Sequence, residues 1–79
     1  MSEADKMFEE LGYEKKEELI AGSMHIIKYY KDDDNVICFG KDDTGKSVRK
    51  EGEYGDFFDS ITMQELKAIN EKVTELGWI

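Results

Sequence analysis

The chain has 79 residues, of which 39% are apolar and 38% charged, and it carries a net charge of −8 at neutral pH. This length fits one small domain, residues 1–79, with a modest hydrophobic core. The acidic excess argues against direct contact with nucleic acid phosphates or an anionic membrane, because both attractions depend on clustered Lys and Arg.

The first segment has the features of a short helix. Ser2 and Asp5 offer a start similar to a capping box, and Gly12 provides a stop. The apolar edge of this helix consists of Met7, Phe8 and Leu11.

Residues 13–20, which read YEKKEELI, can extend this helix or form an edge strand. We favour a strand after the glycine stop. In that strand, one side would carry Tyr13, Lys15, Glu17 and Leu19.

The middle of the chain changes to β-branched and aromatic residues, which are typical of strands. Residues 24–31 and 35–40 predict a hairpin joined by an acidic turn. Residues 41–45 predict a second turn, and residues 46–54 a third, charge-rich strand.

The clearest element is the C-terminal helix, predicted over residues 63–76. Thr62 and Glu65 have the spacing of a capping box, and Gly77 suits a left-handed cap that packs Trp78 back onto the helix. The stripe predicted to face the core comprises Met63, Leu66, Ile69, Val73 and Leu76. The polar remainder includes Gln64, Lys67, Glu71, Lys72 and Glu75.

Together these elements predict an α+β fold, in which an antiparallel sheet of three or four strands carries an N-terminal and a C-terminal helix on one face. The order along the chain is helix, strands, helix. Both helices end in Glu-Leu-Gly followed by an aromatic residue, at 10–13 and at 75–78. We attribute this to shared helix-stop chemistry, since the residues between show no repeat.

Residues 40–47 read GKDDTGKS and match the spacing of a phosphate-binding loop. Such a loop needs a helix directly after it, whose N-terminus binds the phosphates. Here Gly52 and Gly55 interrupt the residues that follow, and the two aspartates inside the match would repel a polyanion. We interpret the match as a false positive, expect no nucleotide and no other cofactor, and predict an exposed turn at 41–46 between antiparallel strands.

The sequence gives little support for a metal site or a catalytic group. The aspartates at 32–34 and 42–43 lack the ligand spacing of a calcium loop, and as hairpin turns they would lie at opposite ends of one strand. His25 and Cys38 are too few ligands for structural zinc. We predict a buried packing thiol and a surface imidazole, with a nucleophile pair across a hairpin as the alternative. The protein is therefore not expected to be an enzyme.

The single cysteine allows no internal disulfide, and the sequence has neither a signal pattern nor a run of about 18 apolar residues that could span a membrane. We expect a reducing, cytoplasmic location. A basic cluster is followed by Glu51 and Glu53, so we expect salt bridges across the sheet there. The cluster consists of Lys46, Arg49 and Lys50.

Aromatic residues are more numerous than a small core easily hides. Tyr29 and Tyr30 are adjacent on a predicted strand and therefore point to opposite faces, so one of them is half-buried under a lysine or lies in an interface. The candidates for a protein interface are Tyr29, Tyr30, Tyr54, Phe57 and Phe58.

The segments MFEELGYEKKEE and ITMQELKAINEKVTELGW, with a strand-rich acidic middle between them, resemble a group of small uncharacterised proteins encoded in phages and prophages of Gram-positive bacteria. This resemblance implies an accessory role with no known activity. It therefore assigns no functional residue.

Two hypotheses follow. The first is a non-enzymatic accessory protein that binds another protein, or a second copy of itself, through the aromatic edge of its sheet. The alternative is an acidic inhibitor that imitates the charge of DNA and occupies a nucleic-acid enzyme. An enzyme that uses a pair of carboxylates would need two acids with separated pKa values in a cleft.

Overall fold

The computed structural model describes residues 2–32, 35–52 and 61–79. Within these ranges, the chain forms α1 (Glu3–Glu10), β1 (Glu14–Ala21), β2 (Met24–Asp32), β3 (Asn35–Asp42), β4 (Gly45–Glu51) and α2 (Met63–Glu75). The strands form an antiparallel sheet in the order β1-β2-β3-β4. The predicted α+β fold and its helix-strands-helix order are confirmed, and β1 confirms the strand assigned to residues 13–20.

One face of the sheet carries the hydrophobic core. Ile27 and Tyr29 of β2 and Ile37 and Phe39 of β3 are each at most 1% exposed, and they pack in one cluster with residues of both helices. Phe8 of α1 stacks on Tyr29 with ring centroids 4.3 Å apart. Because alternate strand residues share a face, both helices lie on this side. We call it the covered face, and the opposite side of the sheet the open face.

Both helices end in the same left-handed cap. Gly12 has φ +92° and Gly77 has φ +74°, conformations that glycine adopts without a steric penalty. The backbone N–H groups of Tyr13 and Trp78 each donate to a carbonyl five residues earlier at 2.9 Å. Both rings are thereby directed into the core, where they are 2% and 8% exposed. The shared helix stop predicted from the repeated Glu-Leu-Gly ending is confirmed.

The start of α2 is a capping box, as predicted. The backbone N–H of Glu65 donates to Thr62 Oγ1 at 3.1 Å, and the backbone N–H of Thr62 donates to Glu65 Oε1 at 2.9 Å. The prediction that the whole stripe faces the core was wrong for its first two residues, since Met63 is 71% and Leu66 40% exposed. Lys72, assigned to the polar side, is buried instead, because its ammonium group reaches two carboxylates described below.

The alternation predicted for β1 is broken by a β-bulge. Pairing with β2 skips Lys16, so Lys15 and Glu18 both lie opposite covered-face residues of β2. Glu17 and Leu19 therefore belong to the open face, and the prediction that placed all odd-numbered residues on one side was wrong beyond Lys15. A bulge adds one residue to one strand and reverses the faces that follow it.

The third predicted strand is shorter than expected, since β4 ends at Glu51. Residues 53–60, which include Tyr54, Phe57 and Phe58, lie outside the described residues. Neither α1 nor α2 has the length and apolar character that a membrane crossing requires.

Candidate interaction surfaces

The open face is formed by alternate residues of β1–β4, and the register sets them in rows across the sheet. Three neighbouring rows are Leu19, Ile26, Gly40 and Ser47; then Glu17, Lys28, Cys38 and Arg49; then Glu14, Tyr30, Val36 and Glu51. Each row joins apolar side chains to polar or charged ones. The apolar strand residues of the covered face pack into one core cluster with the helices, whereas those of the open face lie outside that cluster.

Of the five predicted interface residues, Tyr30 lies on the open face and is partly exposed. Its hydroxyl donates to Glu17 Oε1 at 3.0 Å, and this hydrogen bond raises the pKa of Tyr30. The choice of Tyr29 as an interface candidate was wrong. The stacked ring of Phe8 and the surrounding strands leave Tyr29 only 1% exposed, so Tyr29 belongs to the core. The other three candidates, Tyr54, Phe57 and Phe58, cannot be placed within the described ranges.

A shallow hollow of about 390 Å³ lies on the open face beside the β3–β4 turn. Gly40 and Ser47 face each other across these two strands and have small side chains, which leaves space above them. Met24, Ile26 and Arg49 contribute to its lining. The hollow thus combines a few apolar side chains with polar and charged ones, among them Lys41, Asp42 and Lys46.

The GKDDTGKS segment forms the β3–β4 hairpin. Asp42 pairs with Gly45, which leaves Asp43 and Thr44 at the turn, and residues 41–46 are all exposed. The carboxylate of Asp42 accepts hydrogen bonds from the backbone N–H groups of Thr44 at 2.8 Å and Gly45 at 3.2 Å. The predicted exposed turn between antiparallel strands is confirmed. A strand, not a helix, follows Gly45, so this segment lacks the helix N-terminus on which a phosphate-binding loop depends.

His25 and Cys38 lie on opposite faces of the sheet, so they cannot act as a pair. Cys38 is 5% exposed, and burial raises the pKa of its thiol, as expected for a packing residue. His25 is less exposed than a surface imidazole would be, since its side chain is 20% exposed and its ring meets Trp78 edge-on. Its Nε2 lies 2.9 Å from Glu18 Oε2.

A first, partly buried ionic network joins both helices to the sheet. Asp5 accepts a hydrogen bond from the Tyr29 hydroxyl, and its carboxylate lies 3.4 Å from Lys72 Nζ and 4.0 Å from Lys15 Nζ. Lys72 also lies 3.3 Å from a Glu75 oxygen. Burial acts to raise the pKa of Asp5, but the Tyr29 hydrogen bond and the two ammonium groups outweigh it, so this pKa is lowered. The pKa of Tyr29 is raised, by burial and by the same bond.

A second network surrounds Glu65 and joins α2 to the sheet. Its carboxylate accepts from the Tyr13 hydroxyl at 2.6 Å and from Lys50 Nζ at 3.1 and 3.2 Å. Burial acts to raise the pKa of Glu65, but these donors and the Thr62 N–H outweigh it and lower the pKa. The sequence predicted pairing across the sheet for the basic cluster and did not predict this contact, in which Lys50 reaches a helix glutamate from the covered face.

The two networks hold the helices against the sheet. In the described ranges, every buried side-chain nitrogen and oxygen has a hydrogen-bond partner. Asp5 and Glu65 both have lowered pKa values, so neither is the protonated acid that general acid catalysis needs near neutral pH. The same ranges contain no cluster of three or more His, Cys, Asp or Glu side chains placed to hold a metal ion; Asp33 and Asp34 lie outside them.

No known protein family matches the sequence, and no curated protein or solved structure shows significant similarity to it.

Proposed function

We propose that this chain is a non-enzymatic accessory protein that binds another protein through the open face of its sheet. The observation that carries the proposal is that Tyr30, Ile26 and Leu19 lie on a sheet face that neither helix covers. Half-exposed apolar and aromatic residues between charged ones have the composition of a non-obligate protein interface.

The hollow on the same face, next to Ile26, strengthens this proposal. A partner's side chain can enter between the β3–β4 turn and Ile26, where the small residues Gly40 and Ser47 leave room. Arg49 and Lys28 then supply charged donors at the border, which set orientation more than affinity. Self-association through the same face is a second form of the proposal.

The cellular setting is part of the proposal. The resemblance of both chain ends to small phage and prophage proteins supports an accessory role. The single cysteine, Cys38, is buried and needs no disulfide partner, which supports a reducing, cytoplasmic location.

The experiment compares wild type with the double variant Leu19→Ser/Tyr30→Ser. Size-exclusion chromatography with light scattering measures self-association, and affinity capture from native cells identifies bound proteins. We expect the variant to keep its fold by circular dichroism and to lose the complex. Ile79→Ser is the matched control, because Ile79 is 83% exposed and directly follows Trp78, which packs on the covered face. A wild-type chain that stays monomeric and retains no partner would contradict the proposal.

The alternative function is an acidic inhibitor that imitates the charge of DNA. Strands β1–β4 hold six acidic and eight basic residues, while α1 and α2 hold seven acidic and three basic ones. A DNA mimic needs an extended negative surface. Here the negative charge of the described elements is concentrated in the helices, which favours a localised acidic contact.

A further inference from the structure

A groove runs between the two helices, on the side of the molecule opposite to the open face. Its volume is about 440 Å³, and α1 and α2 line it together. Met7 and Leu11 of α1 line it with apolar groups and pack against the core beneath. Because both are only partly buried, the groove presents apolar surface that its own chain leaves accessible.

Carboxylates border this groove. Glu3 and Glu10 contribute from α1, and Glu71 contributes from α2, with Lys67 as the single basic neighbour. Among the described residues, none forms an ion pair with any of these four side chains. Of the other four helix carboxylates, Asp5, Glu65 and Glu75 form ion pairs with lysines of the two networks, and Glu9 does not line the groove. The groove therefore has an unbalanced negative border over an apolar floor.

The length of the groove fits about two turns of an α-helix. Glu3 to Glu10 and Gln64 to Glu71 each cover eight residues, whose ends are roughly 10 Å apart along the helix axis. Two turns of a partner helix cover that length and place three apolar anchors at helical spacing. Met63 extends the apolar surface, since it is 71% exposed and lies one turn before Lys67 on α2. Methionine side chains adapt to irregular partners, which suits a docking site.

We propose that the α1–α2 groove binds a basic amphipathic helix of a partner protein. Apolar anchors of that helix pack on Met7 and Leu11, and its flanking Lys or Arg side chains pair with Glu3, Glu10 and Glu71. The charge asymmetry of the fold acts at longer range, because the acidic helix layer attracts a basic partner before contact. This proposal is independent of the open face.

The test uses a synthetic 14-residue helical peptide of leucine and lysine with leucines on one face. Two further peptides serve as probes: a scrambled sequence of the same composition, and a version with glutamate in place of lysine. Calorimetry measures the dissociation constants. NMR of methionine methyl groups locates the contact, because Met7 and Met63 report on the helix side whereas Met24 lies at the edge of the open face.

We expect the basic helix to shift the Met7 methyl signal and to leave that of Met24 in place. The double variant Glu10→Lys/Glu71→Lys should weaken binding by about ten-fold. The control Glu14→Lys/Asp43→Lys makes the same change of net charge at exposed positions on the sheet and should change binding less than about two-fold. Equal binding of the scrambled peptide, a shift confined to Met24, or no binding of the basic helix would each overturn the proposal.

Discussion

The covered and open faces of the sheet are built from the same strands, yet neighbouring residues on them have different roles. Tyr29 is 1% exposed, stacks on Phe8 and donates to the carboxylate of Asp5. Tyr30, the next residue, is partly exposed and donates to a glutamate of the edge strand. Both hydroxyls have partners, so hydrogen bonding does not distinguish them. What differs is the layer of helices above Tyr29.

This difference indicates which face of the sheet contributes most to the stability of so small a domain. On the covered face, two ionic networks hold helices and sheet together around a compact set of aromatic rings. On the open face, Val36 and Cys38 are buried outside the core cluster, while Leu19, Ile26 and Tyr30 remain at least partly exposed between charged residues. Substitutions on the covered face should therefore affect folding, and substitutions on the open face should affect binding.

The largest effect is expected for Tyr29→Ala. Removing a fully buried aromatic ring leaves a cavity and takes a donor from Asp5, so the free energy of unfolding should fall by roughly 3–5 kcal/mol. Tyr30→Ala, its neighbour on the open face, should lower it by less than about 1 kcal/mol. Urea denaturation measures both. Similar losses for the two variants would remove the distinction between the faces.

The next effect is expected for Glu65→Gln. The neutral amide removes the buried Glu65 charge that accepts from Lys50, Tyr13 and the Thr62 N–H, which should lower the free energy of unfolding by about 3 kcal/mol. The exposed Glu71→Gln change on the same helix should alter it by less than about 0.5 kcal/mol. Chemical denaturation at pH 7 tests the pair. Equal stability of wild type and Glu65→Gln would show that the Glu65 network does not stabilise the packing of α2 on the sheet.

A smaller effect is expected from acid. The pKa values of Asp5 and Glu65 are lowered by folding, so both carboxyls bind protons less readily in the folded than in the unfolded chain. Their stabilisation is complete above the unfolded pKa values, about 3.9 and 4.3, and is lost as the pH falls through the lower folded values.

Urea midpoints measured between pH 7 and pH 2.5 test this dependence. In the double variant Asp5→Asn/Glu65→Gln, we expect a weaker loss of stability with acid. A residual slope should remain, because Glu18 and Asp42 also have lowered pKa values. An unchanged slope in the variant would contradict the assignment of acid sensitivity to the two networks.

The smallest effect is expected for Gly77→Ala. Its φ of +74° is unfavourable for alanine, and no atom lies within 4 Å of the added methyl group. The free energy of unfolding should therefore fall only by the backbone penalty, about 1 kcal/mol. Gly40→Ala is the control on the open face, where the nearest atom, Ser47 Oγ, would lie 3.8 Å away. Thermal unfolding should separate the two. Equal melting temperatures would argue that the cap does not position Trp78.

Features set by local sequence could be predicted. The capping box at Thr62, the glycine stops and the exposed hairpin at 41–46 each depend on residues within four or five positions of one another. The fold class followed from the same local signals. Alternation alone assigned Tyr29 and Tyr30 to opposite faces, but could not say which face the helices would cover.

Features that depend on distant partners could not be predicted. From the sequence alone, Lys72 is assigned to the polar side of its helix. Its burial depends on Asp5, which lies 67 positions earlier and contacts it only in the folded chain. The sequence identifies Glu65 as a capping residue of α2. Its contacts with Tyr13 and Lys50 could not be predicted, because they form only when both helices pack on the sheet. The bulge at Lys16 lies in a run of charged residues without Gly or Pro, so no signal marked it. The helix groove likewise exists only after packing.

The proposal that the open face binds a protein is tested most directly by site-specific photocrosslinking. A photoreactive phenylalanine derivative replaces Tyr30 in one version of the chain and the exposed turn residue Asp43 in another, and both are expressed in native cells. We predict a discrete crosslinked product from position 30, to a partner or a second copy, and none from position 43. A folded protein that gives no product from position 30, or the same products from both positions, would contradict the account.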